Sequence, residues 1–389
     1  MANELYLGLM SGTSMDGLDA CLLQVSAPGK LQVLATASAP LPSELTASLH
    51  RLCSPGNNEI DTLCRAQNAL AKCSASLVKK LLAQCKLRPA DITAIGSHGQ
   101  TVRHCPQQGY TLQLDNGPLC ALLTGIDVWT NFRAQDVAAG GEGAPLTPLF
   151  HQQVLSSPVK ARFILNLGGI ANVTALRPGG EMICGFDTGP ANTLLDLACR
   201  QLFNCPYDQD GARARAGVVQ PKWLEQLLDH PYFARKPPKS SGRELFNADY
   251  IAFMLAAAQH EPQLGNDVLA TLTAFSVQTI AQALQDLILT KELRSDGATV
   301  VVCGGGARNG FFMQELVKAL QALKLEVVDS GSLGVDAQYL EAEAFAYFAY
   351  LSTHGRVAAM QSITGARCPV ILGTLCPSPQ GRFSARPAG

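Results

Sequence analysis

The chain has 389 residues, of which 47% are hydrophobic and 16% charged, and a formal net charge of −1. That length carries two domains with separate cores, while the near-neutral charge without a Lys/Arg-rich tract argues against a nucleic-acid surface. No apolar run approaches the roughly 18–20 residues of a membrane span, and Glu4 precedes a short apolar run without a secretory pattern, so the expectation is a cytoplasmic protein that does not engage a membrane.

Residues 5–10 read as a strand, followed by a polar glycine turn from Ser11 to Asp19 and a second strand at 20–25. A third strand, 31–37, completes a meander. Helices are expected at 43–52, with Ser43 as N-cap, and at 60–84, where Leu63, Ala66, Leu70, Ala71, Leu77 and Leu81 share one face. A buried strand at 91–96 ends at Ser97-His98-Gly99-Gln100. Strand 110–114, a short helix 118–124 and strand 126–129 follow. This alternation of strand and helix argues for an α/β layered domain.

Residues 131–148 form a loop-rich stretch carrying Arg133, Asp136 and Glu142. Loops of that length are usually functional, and an interdomain linker is the competing reading. The pattern then repeats. Strands at 162–167, 171–175 and 181–186 are joined by turns that include Gly168-Gly169, and a helix at 190–202 starts with Pro190 in its first turn. Two βββα units in one chain suggest a duplication. Residues 207–242 read as polar and irregular, with Lys236 to Lys239 a surface excursion. Helices are expected at 248–258 and 268–289, then a continuous apolar strand at 299–303, the turn Gly304 to Asn309 and a helix to 323. A strand at 326–328 and a helix at 338–351 with Glu341 and Glu343 follow, and the tail from Ser378 is expected to be loosely ordered.

Thirteen cysteines, an odd number without CxxC spacing, support neither a disulfide framework nor a metal site. Cys21, Cys64, Cys73, Cys199 and Cys303 fall in apolar-periodic segments, where a thiol acts as a small hydrophobe.

Three glycine turns after strands are more informative: Ser11 to Asp19, Asp187 to Asn192 (DTGPAN) and Gly304 to Asn309. Strand ends and helix N-termini are where phosphate is bound. No GxxxxGK[ST] is present, and Asn309 stands where a dinucleotide fingerprint needs its third glycine. Asp187, at a strand-to-helix junction, is either an N-cap or a general base, and the Thr-Gly that follows favours the base. His98 is a candidate substrate contact, and His104 carries less weight. Glu341 lies in an otherwise apolar helix, where an unpaired carboxylate is costly.

In combination these turns resemble the sugar kinase, actin and heat-shock-chaperone ATPase superfamily. More closely, GLMSGTSMDGLD, SHGQT, FRAQDVAAGGEGAPLTP, NLGGIANVT, FDTGPAN, GGGARN and LEAEAFA resemble the anhydro-N-acetylmuramic acid kinase family, in the family's order from residue 8 to about 346. The resemblance implies an α/β, two-domain actin-like ATPase fold, a ribonuclease H-like duplicated βββαβαβα, with ATP and sugar in an interdomain cleft. Domain I would comprise 1–131 plus about 352–389, and domain II 132–351. The implied reaction opens the 1,6-anhydro ring of 1,6-anhydro-N-acetylmuramic acid with water and transfers the γ-phosphoryl of ATP to O6, in peptidoglycan recycling. Asp187 falls on the family's base.

The phosphate loop falls on Gly12, Thr13, Ser14, Met15, Asp16, Gly17, Leu18 and Asp19. Further ATP contacts are expected at Gly168, Gly169, Asn172, Gly189, Asn192, Gly304, Gly305, Gly306 and Asn309. His98, Arg133, Asp136 and Glu341 are the expected sugar contacts. Mg²⁺ is implied, with Asp16 and Asp19 as partners through water and no direct ligand assigned. A homodimer is implied too. Ala191 departs from the family's usual DTGPGN. The alternatives are a kinase of the same fold acting on another sugar, or a nucleotide-gated binding protein.

Overall fold

The first three strands pair because each apolar run is short and separated by a tight polar turn, which leaves the backbone no nearer partner than the next run. In the computed structural model, which describes residues 3–12, 15, 17–27, 30–242, 245–290, 293 and 297–381, they are β1 (Glu4–Met10), β2 (Gly17–Ala27) and β3 (Lys30–Pro40). Met10 faces Asp19 in the antiparallel β1–β2 register, and Asp19 faces Ser38 in β2–β3. Asp19 is therefore a strand residue, not a turn residue. Thr13, Ser14 and Asp16 of the expected phosphate loop lie outside the described residues.

Unit 1 consists of Met1–Phe150 and Tyr339–Gly389, and unit 2 of His151–Gln338. In unit 1, β4 (Ala94–Ser97) and β7 (Val128–Thr130) extend the meander in parallel, and β13 (Thr374–Cys376) closes the edge, giving the order β13-β7-β4-β1-β2-β3. Between β4 and β7 a separate hairpin of β5 (Gln100–Cys105) and β6 (Tyr110–Leu114) appears. Its first strand, QTVRHC, has too few apolar residues to be read as a strand. The helix Glu59–Cys85 lays Ala66, Leu70, Ala71, Leu77 and Leu81 into the core with Leu7, Leu9, Leu22 and Ile95. The helix Ser43–Leu52 starts as expected, but Pro42 is its cap residue and no side chain caps it, so Ser43 is not the N-cap.

The helix Leu340–Thr353 belongs to unit 1, whereas the sequence reading put it in a second domain with breaks at 131 and 351. It packs on β1, β2 and β4. The physical reason is a pair of glycines on the sheet: a Cβ on Gly8 would run into the Ala342 carbonyl oxygen, and one on Gly96 into that of Phe345. With Ala342, Ala346 and Ala349 on the helix, backbone meets backbone. Every residue from Ala342 to Ser352 is buried, which explains why this helix shows no polar face.

In unit 2, β8 (Arg162–Leu167), β9 (Ile170–Leu176) and β10 (Met182–Pro190) form an antiparallel meander, and β11 (Thr299–Cys303) and β12 (Glu326–Asp329) add in parallel. The order β10-β9-β8-β11-β12 repeats β3-β2-β1-β4-β7 strand for strand, with the same directions. The expected duplication is thus explicit in the topology. The helix Gly265–Thr290 supplies Leu272, Phe275, Ile280 and Leu284 to the core of this unit.

Three local expectations are corrected here. β10 continues through Asp187 to Pro190, and the helix Asn192–Phe203 starts later, so Pro190 does not sit in its first turn and Asp187 does not cap it. Residues 207–242 contain the helices Ala212–Ala216 and Pro221–Leu228, hidden in the sequence by their shortness and by Gly217 between them. Lys239, read as part of a surface excursion, is buried. At the C-terminus, Ser378 donates its N–H to Asp127 at 2.8 Å, while residues 382–389 lie outside the described residues.

All thirteen cysteines are free thiols. No described helix is long and apolar enough to cross a membrane.

Candidate functional site

Directly opposed residues on neighbouring strands share a face of the sheet. In unit 2 the registers align Cys303, Asn166, Asn172 and Asp187 in one row across β11, β8, β9 and β10. The turns that follow β8, β10 and β11 therefore emerge side by side, and they interlock. Asn192 Nδ2 donates to the carbonyls of Gly168 (2.7 Å) and Leu167 (3.2 Å), while the N–H groups of Ala191 and Thr193 reach the Gly169 carbonyl at 2.9 and 3.0 Å. Gly304 has φ +84°, and a Cβ there would strike Asn166 and the Leu167 backbone; one on Gly306 would lie 2.8 Å from Leu167 Cβ and 2.9 Å from Asn192 Nδ2. These glycines serve close approach of three turns. Above Gly305 there is open space.

Beside this cluster lies a cavity of about 450 Å³ lined by Gly304, Ala307 and Arg308 and by Asp329, Gly331, Gly334, Val335, Asp336 and Ala337. Its size suits a small molecule. Asn309 does not face it through its side-chain oxygen, which caps the helix Gly310–Gln321 by accepting from Phe312 N–H at 3.1 Å. Asp210 holds the same helix start, accepting from Gly310 N–H at 2.8 Å.

Asp187 is 7% exposed and stands at a bulge between itself and Gly189, an irregularity that re-aims a strand side chain. A strap from residues 237–242 grips it at two points, and Tyr232 at a third. Its N–H donates to Lys239 O at 3.2 Å, its Oδ2 accepts from Ser241 N–H at 2.8 Å, and its own carbonyl accepts from Tyr232 Oη at 2.6 Å.

Unit 1 assembles a second cluster. Ser11, 1% exposed, sits 2.6 Å from Gln100 Oε1, which ties the first hairpin to the SHGQT turn. His98 is buried and packed at a 46° tilt against Phe345, at a 4.8 Å centroid distance. Its Nε2 receives Arg133 Nε and Nη2 at 3.2 and 3.0 Å. Since a guanidinium only donates, Nε2 must be the bare nitrogen and Nδ1–H donates to the Gly99 carbonyl at 2.9 Å. Arg133 also reaches the Gly143 carbonyl at 2.9 Å. Asp136 is fully buried, with Oδ1 accepting from Thr364 Oγ1 (2.7 Å) and Oδ2 from Gly143 N–H (2.8 Å). Burial pushes its pKa up, and the two hydrogen bonds offset part of that push. Its carboxylate is occupied within the glycine-rich loop. Met15 and Leu18 are likewise buried in the core, leaving only their backbones to meet a ligand, whereas Gly12 faces open space.

Burial, with Arg133 adding to it, depresses the His98 pKa to about 3, and burial alone depresses that of His151 to about 3. Both lie below the ordinary 6.5. Below pH 6.5 the unfolded chain takes up protons that the folded one refuses, so stability falls as pH drops through this window towards 3. At pH 5 the loss is about 2 kcal/mol per histidine. Urea unfolding at pH 7 and pH 5 checks this, and an unchanged free energy would refute the buried neutral state.

The anhydro-N-acetylmuramic acid kinase family model matches residues 4–378. The chain belongs to the anhydro-N-acetylmuramic acid kinase family. A kinase of that name from Bordetella pertussis (strain Tohama I) is 46% identical over 376 residues, covering 96% of each chain. One from Shewanella frigidimarina is 43% identical over 385 residues, covering 98% of this chain and 99% of its own. Among solved structures, an activator of 2-hydroxyisocaproyl-CoA dehydratase from Clostridium difficile, with bound ADPNP, aligns over 89% of this chain and 94% of its own at 12% identity and a TM-score of 0.45, too distant to weigh.

Family membership makes the protein a kinase, hence an enzyme. Within unit 2 of this family member, Gly168, Gly169, Asn172, Gly189, Asn192, Gly304, Gly305 and Gly306 converge on one end of the sheet with Asp187. Ala191, the departure from the family's usual glycine, is 1% exposed, and its φ of −110° lies outside the left-handed range that would call for glycine. In unit 1, His98 and Arg133 pair directly. Glu341 is half-buried in the first turn of the helix Leu340–Thr353, and Glu343 is buried beside Cys21. Sequence reasoning missed Tyr232, Lys239 and Ser241 around Asp187, and Asp329 and Asp336 at the cavity. The sole signal for the first group was the polar KPPKSS run, whose proximity to β10 no periodicity reports.

Proposed function

We propose that the protein is an ATP-dependent kinase that opens the 1,6-anhydro ring of 1,6-anhydro-N-acetylmuramic acid and phosphorylates the freed O6. The products would be N-acetylmuramic acid 6-phosphate and ADP, in peptidoglycan recycling. The reading is carried by Asp187, the aspartate of the family's DTGP motif, held as a buried carboxylate in the same row as the interlocked glycine turns.

Asp187 is the general base: it takes a proton from water as that water attacks the anomeric carbon, and the anomeric C–O6 bond breaks. Splitting an acetal ordinarily requires an acid for the leaving oxygen as well. Here O6 is captured by the γ-phosphorus, so one carboxylate suffices, and the bond from the γ-phosphorus to the β,γ-bridging oxygen breaks as the O6–P bond forms, releasing ADP. The cavity beside Gly304 takes the adenosine end of ATP. Three strand spacings separate Cys303 on β11 from Asp187 on β10, about 14 Å, a span suited to a phosphate chain running past Gly168 and Asn192. Gly12 to Asp19 serve as the hairpin's phosphate loop, and His98, Arg133 and Glu341 as sugar contacts, with Asp136 shaping the loop that carries Arg133.

Mg²⁺ in kinases is held mostly by phosphate and water and takes only one or two carboxylates. The hairpin suits this: Asp19, half-buried and hydrogen-bonded to Ser38, offers carboxylate oxygens of the right hardness, and Asp16 is its sequence companion. The bound ion would neutralise phosphate charge. The family resemblance also supports a cytoplasmic homodimer.

The test is mass spectrometry after incubation with ATP and the anhydro sugar in ¹⁸O-water. The expected product gains one phosphate and one water, with ¹⁸O at the anomeric position. Phosphate gain without ¹⁸O would overturn the coupled mechanism, and no product would favour a nucleotide-gated binding protein.

A further inference from the structure

Lys239 is the unusual residue near Asp187. A lysine is almost never buried without a partner for its charge, yet Lys239 is 7% exposed. Its Nζ lies 4.7 Å from the Tyr232 ring centroid and 5.7 Å from that of Phe186, and 3.4 Å from the Tyr232 carbonyl oxygen. Among the described residues it makes no direct ion pair. The rings that hold the ammonium are not incidental: Phe186 precedes Asp187 in β10, and Tyr232 hydrogen-bonds the Asp187 carbonyl. Lys239 also accepts the Asp187 N–H through its own carbonyl, two residues before Ser241 holds the carboxylate. Side chain and backbone of one residue thus converge on Asp187 from two directions.

The charged groups around the ammonium are Arg235, whose guanidinium sits 5.9 Å from the Tyr232 ring centroid, and the carboxylates of Asp187 and Asp286. Burial and Arg235 lower the Lys239 pKa, while the two aspartates raise it. The interaction is mutual, so a cation here favours an ionised Asp187.

We propose that Lys239 is a positioning residue for Asp187: its buried ammonium anchors the 237–242 strap on Tyr232 and Phe186 and supplies the positive charge that keeps the carboxylate ionised and aimed. This rests on the reading of Asp187 as the base. It gives the KPPKSS run a role that its composition does not suggest, and it names a lysine that acts through another residue and touches no substrate.

The experiment compares K239M, K239Q, K239R and D187N in the full-length enzyme with ATP, Mg²⁺ and the anhydro sugar. In K239M and K239Q, kcat is expected to fall 10- to 100-fold with KM for ATP within about twofold. The acidic limb of the kcat/KM profile should move up by at least half a pH unit, and K239R should restore its position. A limb that stays put in both neutral variants would overturn the proposal, as would failure of both to fold, because Lys239 would then serve the fold alone. D187N separates the two readings. Wild-type turnover in D187N removes the base assignment itself, whereas an inactive D187N beside an unmoved limb in K239M removes only the role given to Lys239.

Discussion

Asp187→Asn is expected to lower turnover by about 10²–10⁴-fold, the range that a positioned general base contributes, while KM for ATP stays near its wild-type value. The substitution is close to isosteric. Asn keeps an oxygen that can accept the Ser241 N–H now held by Oδ2 at 2.8 Å, and the backbone bonds to Lys239 and Tyr232 do not involve the side chain. What disappears is basicity. Steady-state ADP release with the anhydro sugar present, together with the thermal midpoint of the variant, separates chemistry from folding. A loss of turnover at an unchanged midpoint is the expected result. Turnover at the wild-type rate would take the base role away from Asp187.

Gly96→Ala is expected to cost at least about 3 kcal/mol, at the upper end of overpacking substitutions, and to lower the melting midpoint by roughly 6–12 °C for a unit of this size. The added methyl would meet the Phe345 carbonyl oxygen, a backbone atom of a helix that is buried along nearly its whole length, so nothing nearby can rotate away. Gly8→Ala opposes the Ala342 carbonyl in the same manner. Because Glu341 and Glu343 start that helix, displacing it also disturbs a proposed sugar contact. Gly56→Ala is the control, since its Cβ would meet only the flexible Glu59 side chain at 3.7 Å. Calorimetry on the three variants decides the matter, and equal midpoints for Gly96→Ala and Gly56→Ala would disprove the tight helix–sheet contact.

The hairpin, the duplicated meander, the three glycine turns and the family were all legible in the sequence alone. The reason is that these features are local: alternation of apolar residues marks a strand, and glycine, serine and aspartate mark a turn, whatever lies elsewhere in the chain. Motif order along the chain carried the family. The tertiary structure decided what depends on distant segments. Gly8 and Gly96 look like ordinary strand glycines until a helix far along the chain, met at Ala342 and Phe345, rests on them. Asp136 read as a ligand contact, but Thr364, 228 residues away, occupies its carboxylate. Asp187 read as the end of a strand, yet β10 runs past it because Gly189 and Pro190 go on pairing with Ala171 and Ile170 of β9, while the strap carrying Lys239 and Ser241 takes up its N–H and its carboxylate. Composition marks which residues can do chemistry; which of them is buried, gripped or committed to its own fold is set by partners that chain separation hides.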